Sequence, residues 1–107
     1  MAVTTLSATD LKDRLAQGEE LFLLDVREPQ EYHYAKINGS TLIPLQQIPE
    51  RIGELDPKRN IVVICHHGMR SMQAAAYLAH HGFANILNLQ GGIDAWSLQC
   101  DSSVPRY

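Results

Sequence analysis

Seven consecutive residues of this chain combine a possible nucleophile with groups that bind anions. They are Cys65-His66-His67-Gly68-Met69-Arg70-Ser71, referred to below as the cysteine loop. An Ile-Val-Val-Ile run precedes them and an alanine-rich helical stretch follows. A thiol is nucleophilic as its thiolate, and the free N–H groups and dipole of a helix N-terminus favour an anion. The segment therefore predicts a catalytic nucleophile, Cys65, where a strand ends and a helix begins. The alternative is a buried structural thiol, which the polar neighbours disfavour.

The neighbours of Cys65 have candidate roles in binding an anionic substrate. Gly68 allows backbone angles that are closed to other residues, so several N–H groups can point at one anion. Arg70 offers a permanent charge and a planar set of donors, unless it is a solvated surface side chain. Ser71 is expected either to donate to the cysteine sulfur or to cap the helix. His66 and His67 are candidates for an acid, a base or an electrostatic partner, and we expect adjacent rings on a tight loop to point in different directions.

Metal binding is one alternative for this loop, because a thiolate and two imidazoles are good ligands. A structural zinc site needs spaced pairs that supply four ligands. The other histidines and the second cysteine show no such spacing among themselves: His33, His80, His81 and Cys100. We therefore predict no metal site.

Tyrosine-phosphatase chemistry is a closer alternative, because it also places a cysteine and an arginine on an anion-binding loop before a helix. That family has five residues between the two, whereas four separate Cys65 from Arg70. The shorter loop leaves less room for a tetrahedral phosphate and its leaving group. A separate aspartic general-acid motif is not obvious either.

Length and composition indicate an ordinary globular domain. The 107 residues suit a single domain, 1–107, and the hydrophobic fraction of 45% is typical. The net charge of −3 gives no support for nucleic-acid or anionic-membrane binding. No apolar run approaches the ~20 residues that a membrane helix needs. Two cysteines and no signal-peptide pattern favour a reducing cytoplasm, and we expect a monomer.

Strands and helices are predicted to alternate along the chain. Apolar runs indicate strands at residues 21–24, 41–43, 61–64 and 85–89, with 61–64 the most central. Helices are predicted after Ser7, after Pro29, over residues 46–55, after the cysteine loop and after Gly91-Gly92. In the helix after the loop, one face should carry Met72, Ala75, Ala76 and Ala79. This order predicts an α/β domain with a mainly parallel sheet, whose ligands bind beyond the carboxyl ends of the strands.

Three stretches, in order over nearly the whole chain, resemble the rhodanese-like family. Residues 23–28 with Glu31-Tyr32, followed by 36–44, resemble its first signature. Residues 64–71 resemble its active-site loop, in the six-residue form associated with sulfur substrates. Residues 89–96 resemble its closing signature. The family often has a histidine where this chain has Lys36, and we expect that difference to change a surface contact and leave the chemistry intact.

The resemblance implies a three-layer α/β/α fold and a sulfurtransferase that carries sulfur as a persulfide on Cys65. The donor would be a small anion such as thiosulfate, and the acceptor cyanide, a thiol or a protein. No metal or organic cofactor is needed, because the cysteine itself carries the group. The substrate-binding residues would be His66, His67, Gly68, Met69, Arg70 and Ser71. A binding module without turnover is the alternative that such a complete loop disfavours.

The end of the chain resembles the C-terminal rhodanese modules of enzymes that activate sulfur-carrier proteins. This similarity, over residues 96–107, implies a protein partner such as a cysteine desulfurase or a sulfur-carrier protein. Elsewhere, Asp25, Arg27 and Glu31 are interpreted as a structural polar cluster under the loop. Trp96 is expected in the core, and Cys100 is expected to be a bystander thiol.

Overall fold

All five strands of the sheet run in the same direction. A computed structural model describes residues 3–107. The strands are β1 (Val3–Leu6), β2 (Phe22–Asp25), β3 (Thr41–Leu42), β4 (Ile61–Ile64) and β5 (Ile86–Leu89). Their spatial order is β1-β5-β4-β2-β3, and every neighbouring pair is parallel. The predicted α/β class and the central position of β4 are therefore confirmed. Strand β1 was not predicted, because only Leu6 of this edge strand is buried.

In residues 3–107, four α-helices lie between successive strands and a fifth follows the last strand. They are α1 (Ala8–Ala16), α2 (Pro29–Tyr34), α3 (Ile48–Arg51), α4 (Met69–His80) and α5 (Gly92–Gln99). The predicted cap of α1 is confirmed, since the Ser7 hydroxyl accepts a hydrogen bond from the Asp10 amide at 3.1 Å. Among residues 3–107, no helix has the length and apolar character needed to cross a membrane.

The single helix predicted over residues 46–55 is wrong. That region forms two 3₁₀ turns, Leu45–Gln47 and Ile52–Glu54, on either side of the one-turn helix α3. Pro49 lies in the first turn of α3, as its missing N–H group requires, so a continuous helix cannot pass through it.

Helices cover both faces of the sheet. Along β4, Ile61 and Val63 belong to one apolar cluster, while Val62 and Ile64 belong to the other. The first cluster includes Ala74, Ala75 and Leu78 of α4, and the second includes Leu11 of α1 with Ile93 and Trp96 of α5. This alternation produces the expected three layers, and the predicted burial of Trp96 is confirmed.

The buried face of α4 differs from the predicted one. Its buried residues are Ser71, Ala74, Ala75 and Leu78, whereas Met72 is 40% exposed. Only Ala75 is common to both sets. Leu78 is the largest apolar side chain on the inner face, and Ser71 turns inward because its hydroxyl has polar partners there. The alanines alone could not define the face, because a methyl group contributes little to burial.

The cysteine loop and Asp25, the first residue of the polar cluster, lie at the same edge of the sheet. Asp25 is the last residue of β2 and pairs in register with Ile64, the last residue of β4. Cys65 follows directly, so both lie at the carboxyl ends of adjacent parallel strands. This is the position at which ligands bind in such sheets.

Candidate active site

The sulfur of Cys65 lies against the turn that starts α4. The Gly68 amide donates a hydrogen bond to Sγ at 3.0 Å, and Gly68 immediately precedes the helix. Gly68 has φ +106°, a left-handed conformation that other residues rarely adopt. The Cys65 residue is only 1% exposed, so its thiol is largely shielded from solvent. The predicted location of Cys65, between the end of a strand and the start of a helix, is therefore confirmed.

The first residues of α5 hold the loop from its other side. The Ile93 amide donates to the carbonyl oxygen of Cys65 at 2.8 Å, and the Asp94 amide donates to that of His66 at 3.2 Å. These amides belong to the first turn of α5, where no carbonyl of the same helix is available to them. Two carbonyl oxygens of the loop are thus directed toward α5.

A second polar contact to the sulfur comes from Ser71. Its hydroxyl oxygen lies 3.3 Å from Sγ and donates a hydrogen bond to the side-chain oxygen of Asn88 on β5. The Asn88 amide in turn donates to the Gly68 carbonyl at 3.3 Å. The structure places Ser71 beside the sulfur, but its hydroxyl accepts from the Cys65 thiol and donates to Asn88, so this bond runs opposite to the predicted donation. The helix-cap interpretation is wrong, because Gly68 occupies the cap position. The sequence argument missed Asn88, whose signal is a polar residue inside an apolar strand.

Arg70 forms a two-point ion pair with Glu31 of α2. The two guanidinium nitrogens lie 2.7 and 2.8 Å from the two carboxylate oxygens. This pairing lowers the pKa of Glu31 from 4.5 to about 2 and raises the pKa of Arg70 above its ordinary value. Glu31 also accepts hydrogen bonds from the Glu28 amide and the Tyr107 hydroxyl, both at 2.9 Å. The alternative that Arg70 is a solvated surface side chain is wrong.

Beneath the loop, Asp25 and Arg27 form a fully buried ion pair. Both side chains are 0% exposed, and the shortest of their contacts is 2.7 Å. The Asp25 carboxylate also accepts a hydrogen bond from the Arg27 backbone amide at 3.1 Å. The Arg27 guanidinium donates to the Tyr107 hydroxyl at 2.7 Å. Asp25, Arg27 and Glu31 are therefore joined in a polar network under the loop, as predicted.

Two histidine rings and a tyrosine ring form a stack at the mouth of the site. The His66 ring centroid lies 3.9 Å from that of His67 and 3.9 Å from that of Tyr107. The expectation that the two histidines point in different directions is wrong, because their rings stack on each other with an interplanar angle of 29°. Burial, with a smaller effect of His67, lowers the pKa of His66. The His66 Nε2 atom is buried without a hydrogen-bond partner among residues 3–107.

Tyr107 was missed by the sequence argument, which gave residues 96–107 a resemblance to C-terminal modules but no role in the site. The segment after α5 packs onto the domain, with Val104 8% exposed and Arg106 paired with Asp94 at 2.9 Å. Its aromatic ring and hydroxyl reach residues that lie 41 to 80 positions earlier. The signal available in the sequence was an aliphatic residue, Val104, after the polar residues 101–103.

The structure also places Asp94 beside the two histidines. Ligand atoms of His66, His67 and Asp94 lie within 4.8 Å of one another. The sequence argument against a metal considered only histidines and cysteines and did not include Asp94. In the structure Arg106 neutralises the Asp94 carboxylate and lowers its pKa, so a cation would have to displace that arginine.

Five of the predicted loop residues line one cleft, and the other two contact the cysteine sulfur from inside the protein. A cleft of about 200 Å³ is lined by Cys65, His66, His67, Met69 and Arg70. Gly68 and Ser71 contact the sulfur from the protein side. A neighbouring groove of about 300 Å³ is lined by Gln30, Glu31, Tyr34 and Tyr107. The arrangement allows a small reactive group to enter the cleft and meet the cysteine sulfur.

Cys100 lies at the far end of α5 from the cysteine loop. Burial raises the pKa of its thiol, which makes it a weaker nucleophile at neutral pH. The eight-residue helix separates it from Gly92 by roughly 12 Å at 1.5 Å per residue. These observations support the interpretation of Cys100 as a bystander.

Comparison with known proteins gives a consistent result. The Rhodanese-like domain family matches residues 7–99. The chain is 39% identical over 95 residues to a "Sulfurtransferase" of Allochromatium vinosum, covering 89% of each protein. It is 37% identical over 106 residues to the "Probable adenylyltransferase/sulfurtransferase MoeZ" of Mycobacterium tuberculosis, covering 97% of this chain but 27% of MoeZ. A crystal structure from Staphylococcus saprophyticus superposes with a TM-score of 0.85 at 28% identity, covering 97% of this chain and 100% of the other.

Proposed function

This chain belongs to the rhodanese-like family, and on that premise we propose that it carries sulfane sulfur as a persulfide on Cys65. The names of its relatives support sulfur transfer in general. The observation that carries the proposal is the Gly68 amide, 3.0 Å from Sγ, at the base of a cleft open to small molecules. A backbone donor at this distance stabilises negative charge on sulfur, in the thiolate before transfer and in the persulfide after it.

In the first half-reaction, the Cys65 thiolate attacks the outer sulfur of a donor such as thiosulfate. A new S–S bond forms to Cys65, the S–S bond of thiosulfate breaks, and sulfite leaves with the electron pair. The enzyme then holds a persulfide anion near the start of α4. Ser71 lies close enough to donate a hydrogen bond to the sulfur if its hydroxyl turns from Asn88.

In the second half-reaction, an acceptor attacks the terminal sulfur of the persulfide. The acceptor is cyanide, a thiol or a protein thiol or thiocarboxylate, and Cys65 leaves as the thiolate. The reaction needs no metal or organic cofactor, because sulfur remains covalently bound between the two steps. The free thiol that it requires is compatible with a reducing compartment, for which the cytoplasm remains our prediction.

A protein donor or acceptor is part of the proposal. MoeZ is named as both an adenylyltransferase and a sulfurtransferase, and this chain spans about a quarter of it. By analogy, a cysteine desulfurase as donor or a sulfur-carrier protein as acceptor is a candidate partner. Met69, which is 81% exposed at the edge of the cleft, offers an apolar contact for such a protein.

The test is the mass of the intact protein after incubation with a sulfane-sulfur donor. We expect an increase of one sulfur atom in the wild type and in Cys100→Ser, and none in Cys65→Ser. Subsequent addition of cyanide should remove the sulfur and release thiocyanate. An adduct that persists in Cys65→Ser would contradict the proposal. A persulfide that no acceptor discharges would indicate a binding module, and Cys65-dependent hydrolysis of an aryl phosphate would favour phosphatase chemistry.

A further inference from the structure

We propose that Glu31 determines which sulfur donors the site accepts, by cancelling the positive charge of Arg70. The inference rests on the proposed function and specifies its substrate class. Donors with a single negative charge, such as persulfides, are favoured over the dianion thiosulfate. Glu31 acts through Arg70 and does not itself touch the reacting sulfur atoms.

The geometry of the ion pair carries the first step. Arg70 lines the cleft that contains Cys65, whereas Glu31 lines the neighbouring groove. Both terminal nitrogens of Arg70 are within 2.8 Å of a Glu31 oxygen, so its planar fork is already occupied by a carboxylate. A donor oxyanion would have to compete with Glu31 for the same hydrogen-bond donors.

Glu31 is also fixed in place, which makes it a strong competitor. Its carboxylate accepts hydrogen bonds from the Glu28 amide and from the Tyr107 hydroxyl. The Glu31 side chain is 17% exposed, and the pairing keeps it ionised at neutral pH. Two donors besides Arg70 therefore fix the position of the carboxylate.

The other charged groups near the cleft provide little net positive charge to attract a dianion. Burial keeps the pKa of His66 below its ordinary value, so this ring is mostly neutral at neutral pH. Arg106 is paired with Asp94, and Arg27 is paired with Asp25 beneath the loop. His67 is 63% exposed and lies 3.9 Å from Asp94. A thiolate on Cys65 adds a further negative charge that repels an anion in proportion to the charge on that anion.

Both classes of donor complete the same balanced transfer. With thiosulfate, the Cys65 thiolate takes the outer sulfur and sulfite leaves as a dianion. With a persulfide, it takes the terminal sulfur and a thiolate leaves as a monoanion. The two reactions differ in the charge brought into the cleft, and this is the quantity on which Glu31 acts.

The first experiment measures anion binding without sulfur transfer. Thiosulfate and the monoanion thiocyanate are titrated into Cys65→Ser and into Cys65→Ser/Glu31→Gln at low ionic strength. We expect Glu31→Gln to tighten thiosulfate about tenfold and thiocyanate about threefold, because Coulomb energy scales with the charge of the ligand. Both effects should shrink when salt is added. Equal changes for the two anions, or no binding of thiosulfate to the double variant, would overturn the inference.

The second experiment compares sulfur loading of Cys65 by thiosulfate and by 2-hydroxyethyl persulfide. Glu31→Gln should raise kcat/KM for thiosulfate about tenfold, mainly through a lower KM. It should raise kcat/KM for the persulfide only about threefold. Glu28→Gln is the matched control: it removes a carboxylate from the N-cap of the same helix, and Glu28 is not an ion-pair partner of Arg70 in the described residues. An identical shift in this control would overturn the role of Glu31. Failure of every donor to load Cys65 would overturn the proposed function, while the binding experiment would still decide the role of Glu31.

Discussion

The carbonyl oxygen of Cys65 accepts a hydrogen bond from the Ile93 amide at 2.8 Å, which joins the cysteine loop to the start of α5. Gly92, one residue earlier, makes this approach possible. A Cβ atom at position 92 would lie closer than 3.0 Å to the carbonyl oxygens of Cys65 and His66. Gly92 also has φ +60°, in the left-handed region. The shape of the cysteine loop therefore depends on a glycine that lies 27 residues away in sequence.

We expect Gly92→Ala to displace the cysteine loop and to destabilise the fold. The left-handed backbone costs about 1–2 kcal/mol and the overlap with the loop about 1–3 kcal/mol more. Urea unfolding measures the stability, and the rate of Cys65 alkylation by iodoacetamide reports the loop, in a Cys100→Ser background. Gly39→Ala is the control, since Gly39 has a similar φ of +86° but open space around its Cα. Equal effects of the two substitutions would contradict the argument, because strain alone would then account for both.

The hydroxyl of Ser71 should affect the reactivity of Cys65 more than the stability of the fold. Ser71→Ala removes a polar group that lies 3.3 Å from Sγ and can donate to a thiolate. Because hydrogen bonds to charged groups contribute about 1.5–3 kcal/mol, alkylation at fixed pH should slow by roughly tenfold or more. Ser97→Ala is the control, since Ser97 of α5 is also buried but its hydroxyl donates to the Val104 carbonyl in the segment after that helix. An unchanged alkylation rate in Ser71→Ala would show that the hydroxyl stays with Asn88.

Tyr107 should control the ionisation of His66. Its ring lies parallel to the imidazole at a centroid distance of 3.9 Å and covers one face of it. Burial is the largest cause of the lowered pKa of His66, while a hydrogen bond with the Tyr107 backbone, which Tyr107→Ala retains, raises that pKa. Tyr107→Ala should therefore raise this pKa toward the ordinary value of 6.5. Histidine titration by NMR measures the change. Tyr107→Phe retains the ring and should leave the pKa of His66 below its ordinary value. An unchanged His66 titration in Tyr107→Ala would rule out the stacking as the cause of the lowered pKa.

The parts of the structure that the sequence predicted depend on local patterns. Apolar runs of three to five residues separated by helical segments were sufficient for the parallel sheet, its central strand and the location of Cys65. Gly68 and Arg70 were found for the same reason, since they belong to the strand-loop-helix unit that contains the nucleophile. Local geometry determines where these residues lie relative to one another.

The features that the sequence did not predict depend on contacts between distant residues. Asn88, Asp94 and Tyr107 reach the cysteine loop from β5, from α5 and from the segment after α5. No spacing rule connects such positions to residues 65–71. The partner of Arg70 was missed in the same way, although Glu31 itself was assigned to a polar cluster. An anion-binding arginine and an arginine neutralised by a carboxylate look alike in sequence, because tertiary packing decides between them.

The ion pair between Glu31 and Arg70 should make stability depend on pH in acid. The pKa of Glu31 falls from 4.5 to about 2 on folding, so the pair stabilises the native state at pH values above 4.5. As the pH falls below 4.5, Glu31 is protonated in the unfolded chain but stays ionised in the native state. The stabilisation by the ion pair therefore decreases and disappears by about pH 2. The wild type should exceed Glu31→Gln by about 1–3 kcal/mol at pH 7, a range that allows for the partial exposure of Arg70. Urea unfolding at pH 7, 5 and 3 measures the difference, and one that grows or stays constant toward pH 3 would contradict this assignment.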